Sequence, residues 1–363
     1  MDNSVKEPLV HIVKRDEIEF WKKWAIRIVA ILLSLIVCAL FINVITKMNP
    51  VQVYEGIVAG AVGSSRRMWV TIRDGLILAL VAVAVTPAFK MRFWNIGAEG
   101  QILVGCAASA ALMIYAGASL PTGLLLLLMF VCSFIAGAVW GIIPAAFKAK
   151  WNTNETLFTL MLNYVAMQIV TYCIVFWENP PGSNSVGIIN AMDRAGWLPP
   201  LFGLDYGWNL VIVLGLTALI YIYLKRSKQG YEIAVVGESE NTARYAGISV
   251  SKVIIRTAAI SGGLSGIAGF LLVSGSSHTV SATIAGGRGF TAIIVSWLAK
   301  FNVWAMIIIS LLLVFMSQGA IQIATQYHLN ENASDVITGI ILFFVIGCEF
   351  FINYKLEFRK SHN

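Results

Sequence analysis

Charge is scarce in this sequence. Of its 363 residues only 12% are Asp, Glu, Lys or Arg, whereas 58% are hydrophobic. Soluble domains carry about 25% charged residues, roughly twice that share. So low a share of charged residues excludes a soluble globular protein. Apolar runs of about 20 residues recur along the chain, and this is the length that crosses a bilayer as a helix. The sequence therefore predicts an all-α, polytopic transmembrane helical bundle.

Patterns typical of metal sites, disulfides and catalysis are also missing. All five cysteines fall inside apolar runs without a Cys-x-x-Cys pair, so we expect neither disulfides nor metal sites. No Gly-x-x-x-x-Gly-Lys-Ser/Thr loop is present, so the chain lacks the usual phosphate cradle for ATP. Paired carboxylates or a His/Arg cluster at one membrane face, which a membrane enzyme would need, are absent as well. We therefore expect a chain that is not an enzyme and holds no cofactor.

The apolar runs predict about ten spans in one membrane domain, residues 25–354. The spans are 25–45, 70–89, 96–116, 123–147, 156–177, 209–224, 253–273, 289–300, 302–325 and 335–354. The segment 289–300 is short and would cross only half of the bilayer.

Basic residues predict the orientation in the membrane. With a cytoplasmic N-terminus, 20 of the 26 Lys and Arg residues fall on inner segments, as the positive-inside rule requires. Both termini are then cytoplasmic, the loop 178–208 lies outside and the loop 225–252 lies inside. The tail 355–363 is cytoplasmic. The outer loop is either a plain connection or a docking surface for an external partner.

The N-terminal segment 1–24 is expected to remain attached, because it is too charged to be the basic region of a signal peptide. In "LVHIVKRDEIEFWKKW" the apolar residues Val10, Val13, Ile18, Trp21 and Trp24 fall roughly on one stripe. This pattern predicts a helix lying on the cytoplasmic face of the membrane.

Two predicted spans begin with interrupted, glycine-rich segments. Gly97-Ala98-Glu99-Gly100-Gln101 begins the third span, and Gly286-Gly287-Arg288-Gly289-Phe290 begins the eighth. They lie five spans apart, so the chain enters one from inside and the other from outside, as two pseudo-inverted five-helix halves would require. Glycine-interrupted segments at matching positions of such halves point to the transport path. We therefore predict that the path is bordered by Asn95, Glu99, Gln101, Arg288 and Phe290.

Glu99 allows two interpretations. A charge within a span is costly and usually faces the interior of the bundle, which favours a path residue. Alternatively, its carboxylate pairs with nearby Arg92 or with the exposed amides at the start of its own helix. The glycines Gly262, Gly266 and Gly269 have the small-residue spacing of tight helix packing.

The inner loop contains the signals of a short helix. Ser239 can cap it, Glu240 lies in its first turn, and Gly247 can end it in the left-handed conformation. About seven residues are too few for a stable isolated helix, so this one needs something to pack against.

Three segments together carry a resemblance to a known family. "FWNIGAEGQ", the run from Val236-Gly237-Glu238 to Gly247-Ile248, and "GRGFTAIIVSWL" resemble the permease subunits of ATP-binding-cassette (ABC) importers. The resemblance covers roughly Val51 to Gly347 and is to the nucleoside and simple-sugar branch. It implies a fold similar to the vitamin B12 permease. It also implies a coupling helix that sits in the ATPase, formed by Gly237, Glu238, Ser239, Ala243, Arg244 and Gly247.

The segment Asn95–Gln101 is closer to the nucleoside permeases than to the monosaccharide permeases, and the length suits the longer of two paired permeases. The implied partners are an ABC ATPase that binds ATP and Mg, a second permease, and an external substrate-binding lipoprotein in a bacterial cell membrane. Relatives commonly carry Asn-Pro where this chain has Ser239-Glu240, but Ser is a good cap. A monosaccharide permease or an ion-coupled secondary transporter are the alternatives.

Overall fold

The computed structural model describes residues 10–15, 19–46, 49–326 and 331–358. The predicted N-terminal segment 1–24 and the predicted tail 355–363 lie partly outside these ranges, and so does Ile18 of the apolar stripe.

Helices dominate the described residues. The first seven are α1 Phe20–Thr46, α2 Pro50–Val62, α3 Ser65–Lys90, α4 Ala98–Ala116, α5 Thr122–Trp151, α6 Glu155–Trp177 and α7 Gly207–Arg226. The other six are α8 Lys228–Glu238, α9 Glu240–Tyr245, α10 Val250–Leu272, α11 Arg288–Leu298, α12 Val303–Gln326 and α13 Glu331–Asn353. Within the described ranges nine helices are long and apolar enough to cross a membrane. Together with the short α11 they match the ten predicted segments, so the polytopic helical fold is confirmed.

Hydropathy did not predict α2. This helix has 13 residues, too few to span a bilayer, so a search for long apolar runs passes over it. Its start nevertheless carries local signals: Asn49 caps it by accepting a hydrogen bond from the Val51 amide at 3.0 Å, and Pro50 occupies its first turn.

The predicted interfacial helix at the N-terminus is wrong over Val10–Lys14. These residues form a strand, β1, which pairs antiparallel with β2, Tyr354–Phe358. Among the described residues of this segment, α1 begins at Phe20. The partner strand lies at the other end of the chain, and local periodicity cannot reveal such a distant pairing.

The chain divides into two compact units, residues 1–68 with 313–363 and residues 69–312. In the first unit, Arg27 near the start of α1 forms an ion pair of 2.7 Å with Glu349 near the end of α13. Since β1 leads into α1 and β2 leaves α13, the pairing of the strands brings the two ends of the described chain to the same side of this unit.

Backbone-to-backbone contact between α4, α5 and α10 forms the centre of the second unit. A Cβ added to Gly262 would lie 2.3 Å from the carbonyl oxygen of Gly137, and one added to Gly266 would lie 2.1 Å from that of Ser133. One added to Gly269 would lie 2.4 Å from the carbonyl oxygen of Ile102. The predicted role of these glycines in close helix packing is confirmed, because no side chain fits at the crossings.

The segment 178–206 lies over the end of α10. The Leu198 amide donates to the Ser274 carbonyl at 3.0 Å, in the π-helical turn Val273–Ser277 that follows α10. The Trp197 ring stacks on His278 with centroids 3.6 Å apart. This packing fixes the loop to the helices. The location of this loop outside the membrane stays a prediction. The same holds for the two pseudo-inverted halves and for the limits of the membrane domain.

Candidate functional site

The two interrupted helix starts meet each other. Glu99, in the first turn of α4, accepts hydrogen bonds from the amides of Gly287 at 2.8 Å and Gly289 at 2.7 Å, which lie at the start of α11. One carboxylate therefore satisfies two of the amides that a helix start leaves without intrahelical partners. Glu99 is buried, so these charge-assisted bonds form away from solvent.

Glycine is required where the two starts touch. Gly287 has a φ of +71°, in the left-handed region that glycine adopts without strain. A Cβ on Gly289 would lie 2.4 Å from the amide nitrogen of Glu99. The two glycine-rich segments therefore approach each other closely.

The amides that bind Glu99 differ from the partners that the sequence suggested. The sequence offered Arg92 or the start of its own helix as structural partners, but Arg92 is exposed and the hydrogen-bonded amides belong to α11. A separation of 188 residues along the chain hides this pairing from local sequence reasoning.

A cluster of opposite charges surrounds the start of α11. The positive end of this helix and the guanidinium of Arg288 would repel each other, and the carboxylates of Glu99 and Asp74 oppose that repulsion. The Arg288 guanidinium lies 3.7 Å from Asp74, which also pairs with Arg73 at 3.0 Å. Arg73 in turn lies over the Tyr206 ring, 4.8 Å from its centroid.

Asp74 is a candidate residue that the sequence reasoning missed. It is buried on α3, inside the span predicted at 70–89. Adjacent opposite charges, Arg73-Asp74, within an apolar run were the available signal, because intramembrane ionisable groups pair with each other and mark functional positions.

Asn95 and Gln101 form a buried amide cluster beside Glu99. Their side chains exchange hydrogen bonds of 3.3 Å, and Asn95 also donates to the hydroxyl of Ser261 on α10 at 3.3 Å. The Asn95 side-chain oxygen accepts from the Gly97 amide at 3.0 Å. These bonds hold the interrupted segment against α10.

Two side chains of α6 complete the support, and sequence reasoning missed both. Asn163 accepts from the Gly100 amide at 2.8 Å and donates to the Ile96 carbonyl at 2.9 Å. The hydroxyl of Thr159 accepts from the Ile96 amide at 3.2 Å. Backbone groups freed by the irregular turn are thus satisfied, as burial at membrane depth demands.

An aromatic face runs down α11 from the junction. Phe290 and Trp297 lie seven residues apart, so they share one side of the helix, and both are exposed. Trp297 stacks nearly parallel on Trp94, with ring centroids 5.5 Å apart. The predicted path residues therefore occupy one region, with four at the junction and Phe290 on the adjoining face.

The predicted coupling residues form a second, separate group. The Ser239 hydroxyl accepts from the Thr242 amide at 3.3 Å and so caps α9, and Gly247 follows the helix with a φ of +76°. The predicted short helix with these two ends is confirmed. Within α9, Ala243 is buried, whereas Tyr245 is 94% exposed.

The base of this segment packs on the end of α3. A Cβ on Gly237 would lie 2.1 Å from the Lys90 carbonyl oxygen, so only glycine fits. Ala243 shares a buried apolar cluster with Met91 and Phe93, the residues that lead from α3 towards Asn95. The exposed α9 is therefore connected by close packing to the chain that enters the junction.

Comparisons with known proteins identify a family for this chain. The family described as "branched-chain amino acid transport system / permease component" matches residues 67–346. The glucose ABC transporter permease protein TsgB13 of Haloferax volcanii is 27% identical over 94% of this chain and 92% of its own length.

Two bacterial relatives are similar to the same degree. The guanosine ABC transporter permease protein NupP of Bacillus subtilis is 28% identical over 88% of this chain and 91% of its own length. The nucleoside ABC transporter permease protein NupB of Lactococcus lactis is 27% identical over 86% of this chain and 88% of its own length. No solved structure matches. The chain thus belongs to this family of ABC transporter permeases, multi-pass membrane proteins that are transport subunits rather than enzymes.

Proposed function

We propose that this chain is the permease subunit of an ATP-driven importer that carries nucleosides delivered by an external binding protein. One observation carries the proposal: α9 stands exposed, with Tyr245 outermost, while its base is packed on the chain that leads to the junction. A six-residue helix is not stable alone, and an ATPase that receives it supplies the missing contact. ATP and Mg then bind to that partner.

The nucleoside substrate is supported by similarity and by the chemistry of the junction. Guanosine and nucleoside permeases are among the relatives of this chain. The exposed Phe290 ring offers a face to a base, and the buried amide cluster of Asn95 and Gln101 supports the backbone at the junction. With Glu99 and Arg288, these residues are our proposed border of the path.

A monosaccharide is the second candidate substrate, because the glucose permease TsgB13 covers 94% of this chain. ATP-dependent uptake into vesicles that carry the complete transporter distinguishes the candidates. We expect labelled guanosine to accumulate only with ATP, and unlabelled nucleosides, but not glucose, to compete. Competition by glucose would favour the sugar, and uptake driven by an ion gradient without ATP would contradict the proposal.

In the cell membrane, both termini and α9 are proposed to face the cytoplasm. A second, shorter permease is the proposed partner in a heterodimer. Cysteines introduced for Ser185 and Tyr245, both exposed, test this orientation in a chain freed of its own cysteines. We expect an impermeant thiol reagent to label position 185 in intact cells and position 245 only after the membrane is opened. The reverse pattern would contradict the orientation.

Replacing Gly247 by Val is expected to reduce uptake while the chain still inserts. The space around Gly247 is open, so the effect arises from a β-branched residue forced to a φ of +76°. Gly247→Asn is the matched control, because Asn tolerates this conformation. Reversing the charge of Glu238 or Arg244 should weaken co-purification with the ATPase. Normal uptake and co-purification in Gly247→Val and both charge reversals would show that this segment is not the coupling site.

A further inference from the structure

A cavity of about 300 Å³ lies where the ends of α3 and α7 meet the turn between α11 and α12. Three lysines from these three elements line it: Lys90, Lys225 and Lys300. The other lining residues are Tyr221, Leu224, Phe301, Asn302, Val303 and Trp304. Its size is at the lower end of the range of small-molecule sites.

The charge in the cavity has one sign. Among the described residues that line it, none is acidic. Lys90 and Lys225 both line the cavity, so their positive charges add there. Lys225 is held in place by the Tyr221 ring, with its ammonium 4.9 Å from the centroid. Positive side chains from three elements around one cavity favour the binding of an anion.

An unusual turn presents Lys300. Lys300 and Phe301 have φ angles of +49° and +59°, and two successive residues other than glycine in the left-handed region are uncommon. Hydrogen bonds hold this turn: the Lys300 amide donates to the Trp297 carbonyl at 2.9 Å, and the Phe301 amide donates to the Ser296 carbonyl at 3.1 Å. Backbone conformations that are unfavourable in free energy often occur at ligand sites.

The surroundings are those of a membrane edge. The Trp304 and Tyr221 rings contact each other across α12 and α7, with centroids 6.0 Å apart, and such amphipathic rings favour the headgroup level. On the same two helices, Ile222 and Ile308 expose apolar side chains. An anion bound at the lysines would thus have an apolar helix surface beside it.

From the cavity, the lysines and the adjoining apolar faces, we propose that this is a binding site for the phosphate headgroup of an anionic phospholipid. Its acyl chains lie along the exposed faces of α7 and α12. Basic pockets between transmembrane helices bind such headgroups at the cytoplasmic side. The carbonyl of Lys90 contacts the position of Gly237, so the bound lipid lies next to the segment that carries α9.

The test uses the purified full-length transporter and native mass spectrometry with phosphatidylglycerol, phosphatidylcholine or inorganic phosphate. The variant Lys90→Gln/Lys225→Gln/Lys300→Gln is compared with Lys150→Gln/Lys228→Gln/Lys252→Gln. The second set removes the same charge from exposed lysines outside the cavity. We expect the first phosphatidylglycerol to bind the cavity variant about fivefold more weakly for each lysine removed. The control variant should retain it.

If both variants lost the same affinity for phosphatidylglycerol, the lipid would be attracted to the positive surface in general, and the proposal would be overturned. Binding of phosphatidylcholine as strongly as phosphatidylglycerol would also overturn it, because the headgroup charge would then be irrelevant. Inorganic phosphate separates the two sources of the anion. Retention of phosphate alone, with no difference between the lipids, would assign the cavity to a soluble phosphate and contradict the lipid. Neither readout depends on transport, so failure here is distinct from failure of the proposed function.

Discussion

Replacing Glu99 by Gln is expected to loosen the start of α11 and to lower the free energy of unfolding by about 2–4 kcal/mol. The wild-type carboxylate accepts from the amides of Gly287 and Gly289 in a buried position. Gln has one acceptor oxygen, so its NH₂ group must face one of those amides, donor against donor. Thermal unfolding of the purified transporter measures the loss, and hydrogen exchange should show faster exchange of these two amides.

Glu155→Gln is the matched control. Glu155 is also a buried carboxylate in the first turn of a helix, but its ion-pair partner is the Lys148 ammonium at 3.1 Å, which is partly exposed. Water can solvate that ammonium when the carboxylate is neutralised, so we expect a smaller loss. Equal stability of Glu99→Gln and the wild type would contradict the capping of α11 by Glu99.

Replacing Gly266 by Ala is expected to disrupt the crossing of α5 and α10. The added Cβ would lie 2.1 Å from the Ser133 carbonyl oxygen, and backbone cannot move aside by changing a rotamer. The cost should reach about 3 kcal/mol, the upper end of the range for overpacking. A lower unfolding temperature and a smaller yield of folded protein are the measured results.

Gly215→Ala provides the comparison on α7, where nothing lies within 4 Å of the added Cβ. There the methyl group has room, and Ala is the better helix former, so stability should be unchanged or slightly raised. If both substitutions had the same effect, the close crossing would not explain the requirement for glycine at Gly266.

Much of the fold follows from the sequence because lipid imposes a simple rule. Each span needs about 20 apolar residues, so hydropathy locates the long helices. The short α9 was also predictable, since Ser239 and Gly247 act locally on its two ends. Conversely, α2 is too short for the hydropathy rule, and β1 depends on a partner at the opposite end of the chain.

The two interrupted helix starts of the candidate site were predictable, but the contact between them was not. Glycines and a charge marked each interrupted start, yet the hydrogen bonds from α11 to Glu99 join residues 188 and 190 positions apart. Asp74 carried a local signal in the adjacent charges of Arg73-Asp74, but Thr159 and Asn163 were missed for the same reason. Their importance lies in what they contact on other helices, and one sequence does not contain that information.

We propose that the junction of α4 and α11 borders the transport path. It is tested most directly by ATP-dependent nucleoside uptake into vesicles carrying the folded transporter with Glu99→Gln or Arg288→Gln. Glu155→Gln serves as the reference, and all are assayed below the melting temperature of the least stable variant. We expect uptake by both junction variants to fall to a small fraction of that of the reference. Wild-type uptake by both would contradict it and leave Glu99 as a purely structural cap.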